Sequence, residues 1–436
     1  MHRICLTLPT DRACSATIAA VGEEAAHAAR HFGVEVHLLI LDSCDERTVA
    51  DHARTVAALP EAEHVVVHHL DEAAQRDFLR GAIRRAALPA PDRVLGLMLP
   101  DDVSYGACTN RAFLIAAALG CRSVHRRDSD SRYQRLDGRP VFPVDQELTS
   151  LGRRAADAAA GVSEVALAPG LASRTVSMVG ASFIGELSVD IGEIQELDKD
   201  VYHDVVSLWA PGHWSPERKR ELVEESFRGA GLLPFTGDHS TLTVVDPMRV
   251  DMCNVSFHRD VYERLPLPPA TATIGSDYFL LHAVHDAGLP GVLHNRHIEN
   301  YYTGERRTHA GFLAYQTRFV KFLLSMLHFH HVYDRMAEAG PALLDDGRLD
   351  PAVVAGFLAE SVRLDPAENE RRLDTVRTAY GRLGGKYAEF ARAVTAGRQR
   401  LLDEARRDIE DFVLLIECWR ALVGAARDTD VRSAAR

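Results

Sequence analysis

Two carboxylates one residue apart stand in the first third of the chain, in Asp128-Ser129-Asp130. In an extended segment, side chains two positions apart point to the same side, so both can flank one cation. Mg²⁺ and Mn²⁺ prefer oxygen ligands and usually leave positions open for phosphate oxygens. The spacing therefore predicts a site for Mn²⁺ or Mg²⁺, while short acidic turns are also common on protein surfaces.

Histidines form a second candidate group. His294, His297 and Glu299 give the pattern H-x-x-H-x-E, and two imidazoles with one carboxylate can hold a transition metal in an oxygenase or a hydrolase. Further histidines at 328, 330 and 331 lie in an apolar helical run, where packed side chains are commoner than ligands. An independent histidine-metal enzyme is therefore a less favoured alternative.

Alternating strands and helices surround the acidic pair. The sequence predicts strands over residues 3–8 (ended by Pro9), 34–41 and 64–70, and helices over 17–31 (closed by Gly33), 46–58, 71–87 and 106–119. This alternation is typical of a doubly wound, mostly parallel sheet. Ligands bind such sheets at the carboxyl ends of the strands, where Asp42 and Asp128 lie. Asp42 could instead cap the helix that follows it.

The pattern changes near residue 309. Apolar residues then recur at spacings of three and four, which indicates amphipathic or buried helices, and more helices are predicted near 350–363, 366–395 and 398–426. We therefore predict an α/β domain over 1–305 and an α-helical module over 306–436. The module is expected to cover the cleft or to form a homodimer interface, because its apolar residues exceed what an exposed helix tolerates.

The order of motifs resembles the GT-A fold of glycosyltransferases, in particular the inverting family 2 group. That group opens with a strand ending in Pro-Thr, holds the nucleoside at an acidic turn after its second strand, opens a helix with Asn-Arg, and then reaches D-x-D. The matching segments are Leu8-Pro9-Thr10-Asp11-Arg12, Asp42-Ser43-Cys44-Asp45, Asn110-Arg111 and Asp128-Ser129-Asp130. The resemblance implies a set of donor-binding residues: Pro9, Thr10, Arg12, Asp42, Asn110, Arg111 and Asp128.

The resemblance continues downstream in Gly275-Ser276-Asp277-Tyr278, ahead of a predicted helix at 279–287. The family places an acidic pair there, with the second acid as catalytic base; this chain has Ser276 in place of the first acid. Asp277 is thus the implied base, and it could also be a helix N-cap. His294 and His297 follow where relatives place a histidine that contacts metal or phosphate. Arg111 or Arg127 could meet phosphate, although Arg126 and Arg127, beside the acids, could equally form local ion pairs.

The resemblance therefore implies a metal-dependent transfer of a sugar from a nucleoside-diphosphate donor, such as a UDP-sugar, to a small-molecule or peptide-like acceptor, with inversion. A nucleotidyltransferase is an alternative, but the Gly-rich phosphate loop that such enzymes place near the N-terminus is missing from LTLPTDRACSAT. A catalytically inactive GT-A scaffold with a binding role is a third interpretation.

The composition argues against several other functional and structural classes. The chain has 436 residues and a formal net charge of −12 without a basic block, which argues against nucleic-acid binding. Its seven cysteines include no C-x-x-C pair, so reduced thiols are expected rather than a disulfide framework or a zinc site. We find no signal-peptide pattern and no run of 18 apolar residues. A cytoplasmic protein is expected, and the Ala-, Arg- and Asp-rich composition suggests a GC-rich bacterial genome and a role in specialised metabolism.

Overall fold

The computed structural model describes residues 1–186, 189, 191–301 and 308–431, which form a mixed α/β structure with a helical C-terminal region. The strands are β1 (Arg3–Thr10), β2 (Glu35–Asp42), β3 (Val65–Leu70), β4 (Ser123–Arg127), β5 (Ser131–Tyr133), β6 (Arg135–Leu136), β7 (Arg139–Pro140), β8 (Glu164–Val165), β9 (Met178–Gly180), β10 (Phe183–Gly185), β11 (Ser240–Thr243), β12 (Asn254–His258), β13 (Gly291–His294), β14 (Ile298–Asn300), β15 (Leu344–Asp345) and β16 (Arg348–Leu349).

The helices account for most of the remaining regular structure. They are α1 (Ser15–Phe32), α2 (Glu46–Ala57), α3 (Glu72–Ala86), α4 (Pro91–Met98), α5 (Tyr105–Ala118), α6 (Val144–Ser150), α7 (Ala155–Ala158), α8 (Gly192–Leu197), α9 (Lys199–Val206), α10 (Pro216–Glu225), α11 (Arg259–Tyr262), α12 (Phe279–Asp286), α13 (His309–Ala339), α14 (Pro351–Ser361), α15 (Ala367–Leu383), α16 (Gly385–Ala396) and α17 (Arg398–Ala426).

The central sheet has the strand order β3-β2-β1-β4-β12-β9-β13-β11-β8 among the described residues. Its first four strands are mutually parallel, and β12 runs antiparallel to both β4 and β9. Strands β1 and β2 are buried along most of their length, as expected for parallel strands covered on both faces. The predicted mostly parallel sheet is confirmed, and it is mixed rather than purely parallel.

Strand β1 extends further than the sequence predicted. Pro9 was expected to end it, but Pro9 pairs with Leu41 and Thr10 pairs with Asp42 of β2. The pairing of β1 with β4 ends at Thr7. Pro9 therefore has a strand neighbour on one side only, and its missing N–H removes no ladder hydrogen bond there. The predicted stop of α1 at Gly33 is confirmed, because Gly33 has the left-handed conformation with φ 60°.

The C-terminal region is helical, as predicted, with one difference. The single helix expected over 366–395 is two helices, α15 and α16, separated at Gly384 and Gly385, whose φ angles are positive. The predicted domain boundary at 305/306 lies outside the described residues. None of the helices in the described part combines the length and apolar character that a bilayer crossing requires.

The helical region packs directly on the sheet region. Trp419 of α17 is fully buried, and its Nε1 donates to the carbonyl oxygen of Tyr262 at 2.9 Å. Phe113 of α5, Phe279 of α12 and Phe319 of α13 belong to the same continuous hydrophobic cluster as Trp419. This shared core fixes α13 and α17 relative to the sheet. A homodimer contact through the helical module stays a prediction.

Candidate functional site

A cavity of about 480 Å³ lies at the carboxyl ends of β1, β2 and β4, where parallel sheets bind ligands. The ends of these strands and the start of α5 form one part of its wall, and the turn before α12 and the inner face of α13 form another. Segments that line it include 9–12, 99–105, 128–131, 246–253, 274–275 and 277–278. Several sequence-predicted residues are therefore brought into one space.

Asp128 and Asp130 both line the cavity. They follow β4 in a turn in which Ser131 Oγ donates to the carbonyl oxygen of Asp128 at 2.8 Å, and Thr17 Oγ1 donates to that of Ser129 at 3.1 Å. Arg12 Nη1 lies 2.9 Å from Asp130 Oδ2. The predicted acidic pair thus has a fixed place at the end of β4, beside the predicted donor residue Arg12.

Arg126 connects the acidic pair to Asp277. Its side chain is only 4% exposed, with Nη1 at 2.6 Å from Asp277 Oδ2 and Nη2 at 3.1 Å from Asp128 Oδ1. Asp277 lies in a single 3₁₀ turn, Ser276–Tyr278, before α12, and neither helix start has a side-chain cap. The carboxylate of Asp277 therefore bonds a guanidinium instead of capping a helix.

The carboxylate of Asp128 is poorly solvated. Burial raises the pKa of Asp128 to about 7; Arg126 opposes this rise, and the charges of Asp130, Asp251 and Asp277 add to it. Although 26% of the Asp128 side chain is accessible, that surface lines the cavity. A carboxylate in this environment is stabilised by any cation that binds beside it.

Asp251 is a cavity residue that the sequence did not single out. Its Oδ1 accepts from Cys253 N at 3.0 Å, and the hydroxyl of Tyr278 donates to its Oδ2. It precedes β12, which pairs with β4 from Asn254 onward. An isolated acid in a loop carries no local pattern, so only the pairing of distant strands could have indicated its place near Asp128.

Asp42 is buried below the cavity wall. Its side chain is fully inaccessible, and Oδ2 accepts from His52 Nδ1 and His69 Nε2, each at 2.8 Å. Oδ1 accepts from Cys44 N at 3.1 Å. Burial alone would raise the pKa of Asp42, but hydrogen bonds from His69, Cys44 and His52 lower it to about 2. The neighbours of Asp42 in sequence, Leu41 and Ser43, are the residues that line the cavity.

Asp42, Cys44 and His52 are also close enough to hold a metal ion. Both ring nitrogens of His52 are already used, however, because Nε2 accepts from Cys14 N at 3.0 Å while Nδ1 bonds Asp42. Burial raises the pKa of the Cys44 thiol well above its usual value. The group is therefore a hydrogen-bonded buried cluster, and a metal would have to displace these bonds.

Asn110 and Arg111 form hydrogen bonds between α5 and other segments of the chain. Asn110 Nδ2 donates to Leu267 O at 2.8 Å, and its Oδ1 accepts from Leu267 N at 2.7 Å. Arg111 donates from Nε to Gln75 Oε1 and from Nη1 to Met98 O, both at 2.7 Å. Arg111 also lines the cavity, together with Pro9 and Thr10, whereas Asn110 does not.

The remaining predicted residues lie away from the cavity. Arg127 forms buried ion pairs with Glu24 and Glu147 at 2.8 and 2.9 Å. His294 is buried in β13, and His297 Nδ1 accepts from Ser182 N at 3.1 Å. Neither histidine is among the residues that line the cavity, and within the described part of the chain neither belongs to a cluster of three or more possible metal ligands.

The sequence matches the family model over residues 2–435. The chain belongs to DUF6271, a family of unknown function. Among curated proteins, no sequence matches it. The solved structures that resemble it include a mycobacterial protein, 17% identical over 74% of both chains with a TM-score of 0.35. They also include the mannosyltransferase PcManGT from Pyrobaculum calidifontis in complex with GDP-Man and Mn²⁺, 11% identical over 95% of this chain and 86% of that one with a TM-score of 0.34.

The DUF6271 chain gives its cavity an excess of negative charge. Ten carboxylates line it against four guanidiniums, so a diphosphate could enter only with added positive charge. The carboxylates are those of Asp11, Glu72, Asp101, Asp102, Asp128, Asp130, Glu225, Asp246, Asp251 and Asp277, and the guanidiniums are those of Arg12, Arg111, Arg126 and Arg249. Either a cation or a positively charged substrate therefore suits this site.

Proposed function

We propose that this chain is a metal-dependent glycosyltransferase with a GT-A-like α/β region. It would transfer a sugar from a nucleoside-diphosphate donor to an acceptor hydroxyl, with inversion. The observation that carries the proposal is the position of Asp128 and Asp130. Both carboxylates line one cavity between the end of β1, where Arg12 lies 2.9 Å from Asp130, and the turn that holds Asp277, which Arg126 connects to Asp128.

The donor would bind along the ends of β1 and β2 and the start of α5. Pro9, Thr10 and Ser43 line that side, and α5 begins there with Ser104 as its N-cap, whose Oγ accepts from Ala107 N at 3.1 Å. The N-terminus of a helix carries partial positive charge that favours an anionic group. Asp42 would support this wall from below through its histidine bonds instead of touching the nucleoside.

Asp128 and Asp130 suit a divalent cation such as Mn²⁺ or Mg²⁺. Both are oxygen ligands. Burial, opposed by Arg126 and reinforced by the charges of Asp130, Asp251 and Asp277, raises the pKa of Asp128, and a bound cation would stabilise its charged form. When bound, the ion would act as a Lewis acid for the departing diphosphate. His294 and His297 are left out of this site because they do not line the cavity.

Asp277 would accept the proton of the acceptor hydroxyl. The acceptor oxygen forms a bond to the anomeric carbon while the bond from that carbon to the diphosphate oxygen breaks, so the nucleoside diphosphate leaves and the proton goes to Asp277. Among the described residues Arg126 is the partner of Oδ2, and Oδ1 has no hydrogen bond. Arg126 is a positioning residue, because its two nitrogens hold Asp277 and Asp128 at once.

Calorimetric titration of the full chain with UDP, GDP and dTDP, each with and without Mn²⁺, tests the proposal. We expect one nucleotide to bind only with the ion, and Asp128→Asn and Asp130→Asn to abolish that binding. Asp238→Asn is the matched control, since Asp238 is also ion-paired with an arginine, Arg296 at 2.6 Å, but lies outside the cavity lining. Absence of ion-dependent binding, or its persistence in both variants, would overturn the metal site.

Analysis of the reaction products distinguishes glycosyl transfer from nucleotidyl transfer and from an inactive scaffold. A glycosyltransferase incubated with its donor and an acceptor releases a nucleoside diphosphate, whereas a nucleotidyltransferase given a nucleoside triphosphate and a sugar phosphate releases pyrophosphate. Nucleotide binding with neither product would support the inactive scaffold. Release of pyrophosphate alone would replace the proposal by the nucleotidyltransferase.

A further inference from the structure

The cavity continues past Asp277 into a group of aromatic side chains. A chain of contacts leads there: Gly275, two residues before Asp277, lies against the ring of Phe322, and Phe322 lies 5.8 Å from Trp209 between ring centroids. Trp209 stacks on Phe227 at 5.0 Å with an interplanar angle of 18°. This end of the cavity therefore lies beside the turn that holds Asp277.

A second wall of the same space comes from α12 and α13. His282, five residues after Asp277, stacks on Tyr333 at 3.8 Å with an interplanar angle of 12°. Phe329, one turn earlier on α13, lies 5.9 Å from Tyr333. We call the rings of Trp209, Phe227, His282, Phe322, Phe329 and Tyr333 the aromatic subsite; all six line the cavity.

We propose that the aromatic subsite binds the acceptor, and that the acceptor is a neutral aromatic compound carrying a hydroxyl group, such as a phenol or a fused-ring alcohol. The proposal deepens and rests on the proposed function. Aromatic rings pair with flat rings in offset-stacked or edge-to-face geometry and gain binding free energy beyond that of area burial. Rings presented from four different segments of the chain can contact both faces of one such compound.

The six rings themselves offer few polar atoms, which argues against a sugar or a peptide as the acceptor. Such acceptors need several hydrogen-bond partners when they leave water. Within the six rings only Trp209, His282 and Tyr333 have polar atoms, and burial lowers the pKa of His282 to about 3, so its imidazole is neutral. The carboxylates Asp251 and Asp277 at the inner end would further repel an anionic acceptor.

Binding of 2-naphthol to the full chain, measured by calorimetry, tests the subsite. Cyclohexanol and glucose serve as the aliphatic and sugar probes. We expect 2-naphthol to bind at least about tenfold more tightly than either, because only a flat ring can stack. Equal binding of 2-naphthol and cyclohexanol, or tighter binding of glucose, would overturn the aromatic acceptor.

Two independent variants locate the binding. Tyr333→Leu and Phe227→Leu remove one ring each from opposite walls, and each should weaken 2-naphthol binding about tenfold. Phe357→Leu is the matched control, because Phe357 on α14 packs against Arg335 at 4.9 Å and does not line the cavity. Melting temperatures identify any variant that does not fold. Unchanged 2-naphthol affinity in the folded variants would overturn the location.

The outcome is separable from that of the proposed function. Ion-dependent nucleotide binding without 2-naphthol binding would overturn the subsite and leave the glycosyltransferase proposal standing. Binding of 2-naphthol without any nucleotide binding would overturn the glycosyltransferase proposal and leave an aromatic-compound site. Formation of a naphthyl glycoside from the donor found by calorimetry would support both.

Discussion

Arg126 Nη1 lies 2.6 Å from Asp277 Oδ2, and this contact joins the end of β4 to the turn before α12. The same guanidinium reaches Asp128 at 3.1 Å. Both the Arg126 and Asp277 side chains are less than 10% exposed, so the ion pair is shielded from solvent and its geometry is restricted. The proposed base and the proposed metal ligand are thus oriented by one side chain.

The first prediction concerns Asp277→Asn. Asparagine keeps the size of the side chain but cannot take a proton, so turnover should fall by about 10²–10⁴-fold, the usual contribution of a positioned base. Ion-dependent nucleotide affinity should stay nearly unchanged, because Asp277 is proposed to act on the acceptor. Initial rates with the donor found by calorimetry, together with nucleotide titrations, measure both.

Asp246→Asn is the control for Asp277→Asn. Asp246 also lines the cavity, but its carboxylate accepts from Met248 N at 2.9 Å and forms no ion pair with an arginine of the described residues. Its replacement should leave turnover close to wild type. Wild-type turnover in Asp277→Asn would remove Asp277 from the mechanism.

The second prediction concerns Asp42, which the resemblance assigned to the nucleoside. Asp42→Asn should destabilise the fold by about 1.5–3 kcal/mol, as for a lost hydrogen bond to a charged group, because an amide nitrogen would face N–H groups of His52, His69 or Cys44. Nucleotide affinity of the folded variant should change little. Urea unfolding and nucleotide titration measure the two effects.

The contribution of the Asp42 carboxylate to the free energy of unfolding should depend on pH. Its pKa in the folded chain is about 2, below the ordinary 3.8, so the stabilisation is present above pH 4 and is lost as pH falls toward 2. The stability difference between wild type and Asp42→Asn should therefore shrink between pH 7 and pH 3. Asp45→Asn is the matched control, since Asp45 caps α2 through Thr48 N and asparagine caps equally well. A selective loss of nucleotide affinity in Asp42→Asn would restore the nucleoside role.

The third prediction concerns Asn110→Ala. Removal of this buried amide leaves the N–H and carbonyl of Leu267 unpaired, at a cost of about 1–3 kcal/mol, without changing nucleotide affinity. Asn369→Ala is the matched control, because Asn369 is equally buried and donates to Leu324 O at 2.9 Å in the helical region. Both variants should melt earlier than wild type. Weakened nucleotide binding in Asn110→Ala alone would favour the donor role that the resemblance implied.

Local patterns predicted the parts of the fold that depend on neighbouring residues. Gly33 marks the end of α1 because only a residue tolerant of positive φ fits there, and Asp128 follows a short buried strand whose end can be read from the sequence. The direction in which a side chain at the end of a strand points cannot be read from the local sequence. Asp42 turns toward His69 because β3 pairs beside β2, with Ile40 opposite His69, and no local pattern contains that pairing.

The aromatic subsite could not be predicted from the sequence either, because it too depends on contacts between distant segments. The sequence predicted α13 as an apolar helix, but its spacing does not distinguish rings that fill the core from rings that line a cavity. Phe319 is fully buried in the core, whereas Phe322, less than one turn later, lines the cavity. The difference depends on where the turn before α12 lies, and Gly275 at the start of that turn is 47 residues from Phe322 in the sequence (322 − 275).

The last prediction concerns Gly275, which allows this turn to approach α13. Gly275 has φ 70°, and a Cβ there would lie 2.8 Å from Cε2 of Phe322. Gly275→Ala should therefore lower the free energy of unfolding by more than the roughly 1–2 kcal/mol expected for an alanine in the left-handed conformation. It should also reduce turnover, because the clash displaces Asp277. Gly33→Ala isolates the backbone cost, because Gly33 has φ 60° and no atom within 4 Å of its Cβ position.

A double variant separates the clash from the backbone effect. Phe322→Leu makes room for the new methyl group, so Gly275→Ala combined with Phe322→Leu should be less destabilised than the sum of the two single variants. Urea unfolding of the four chains gives this coupling as a double-mutant cycle. If Gly275→Ala is no less stable than Gly33→Ala and turns over at the wild-type rate, the contact between Phe322 and Gly275 does not position Asp277.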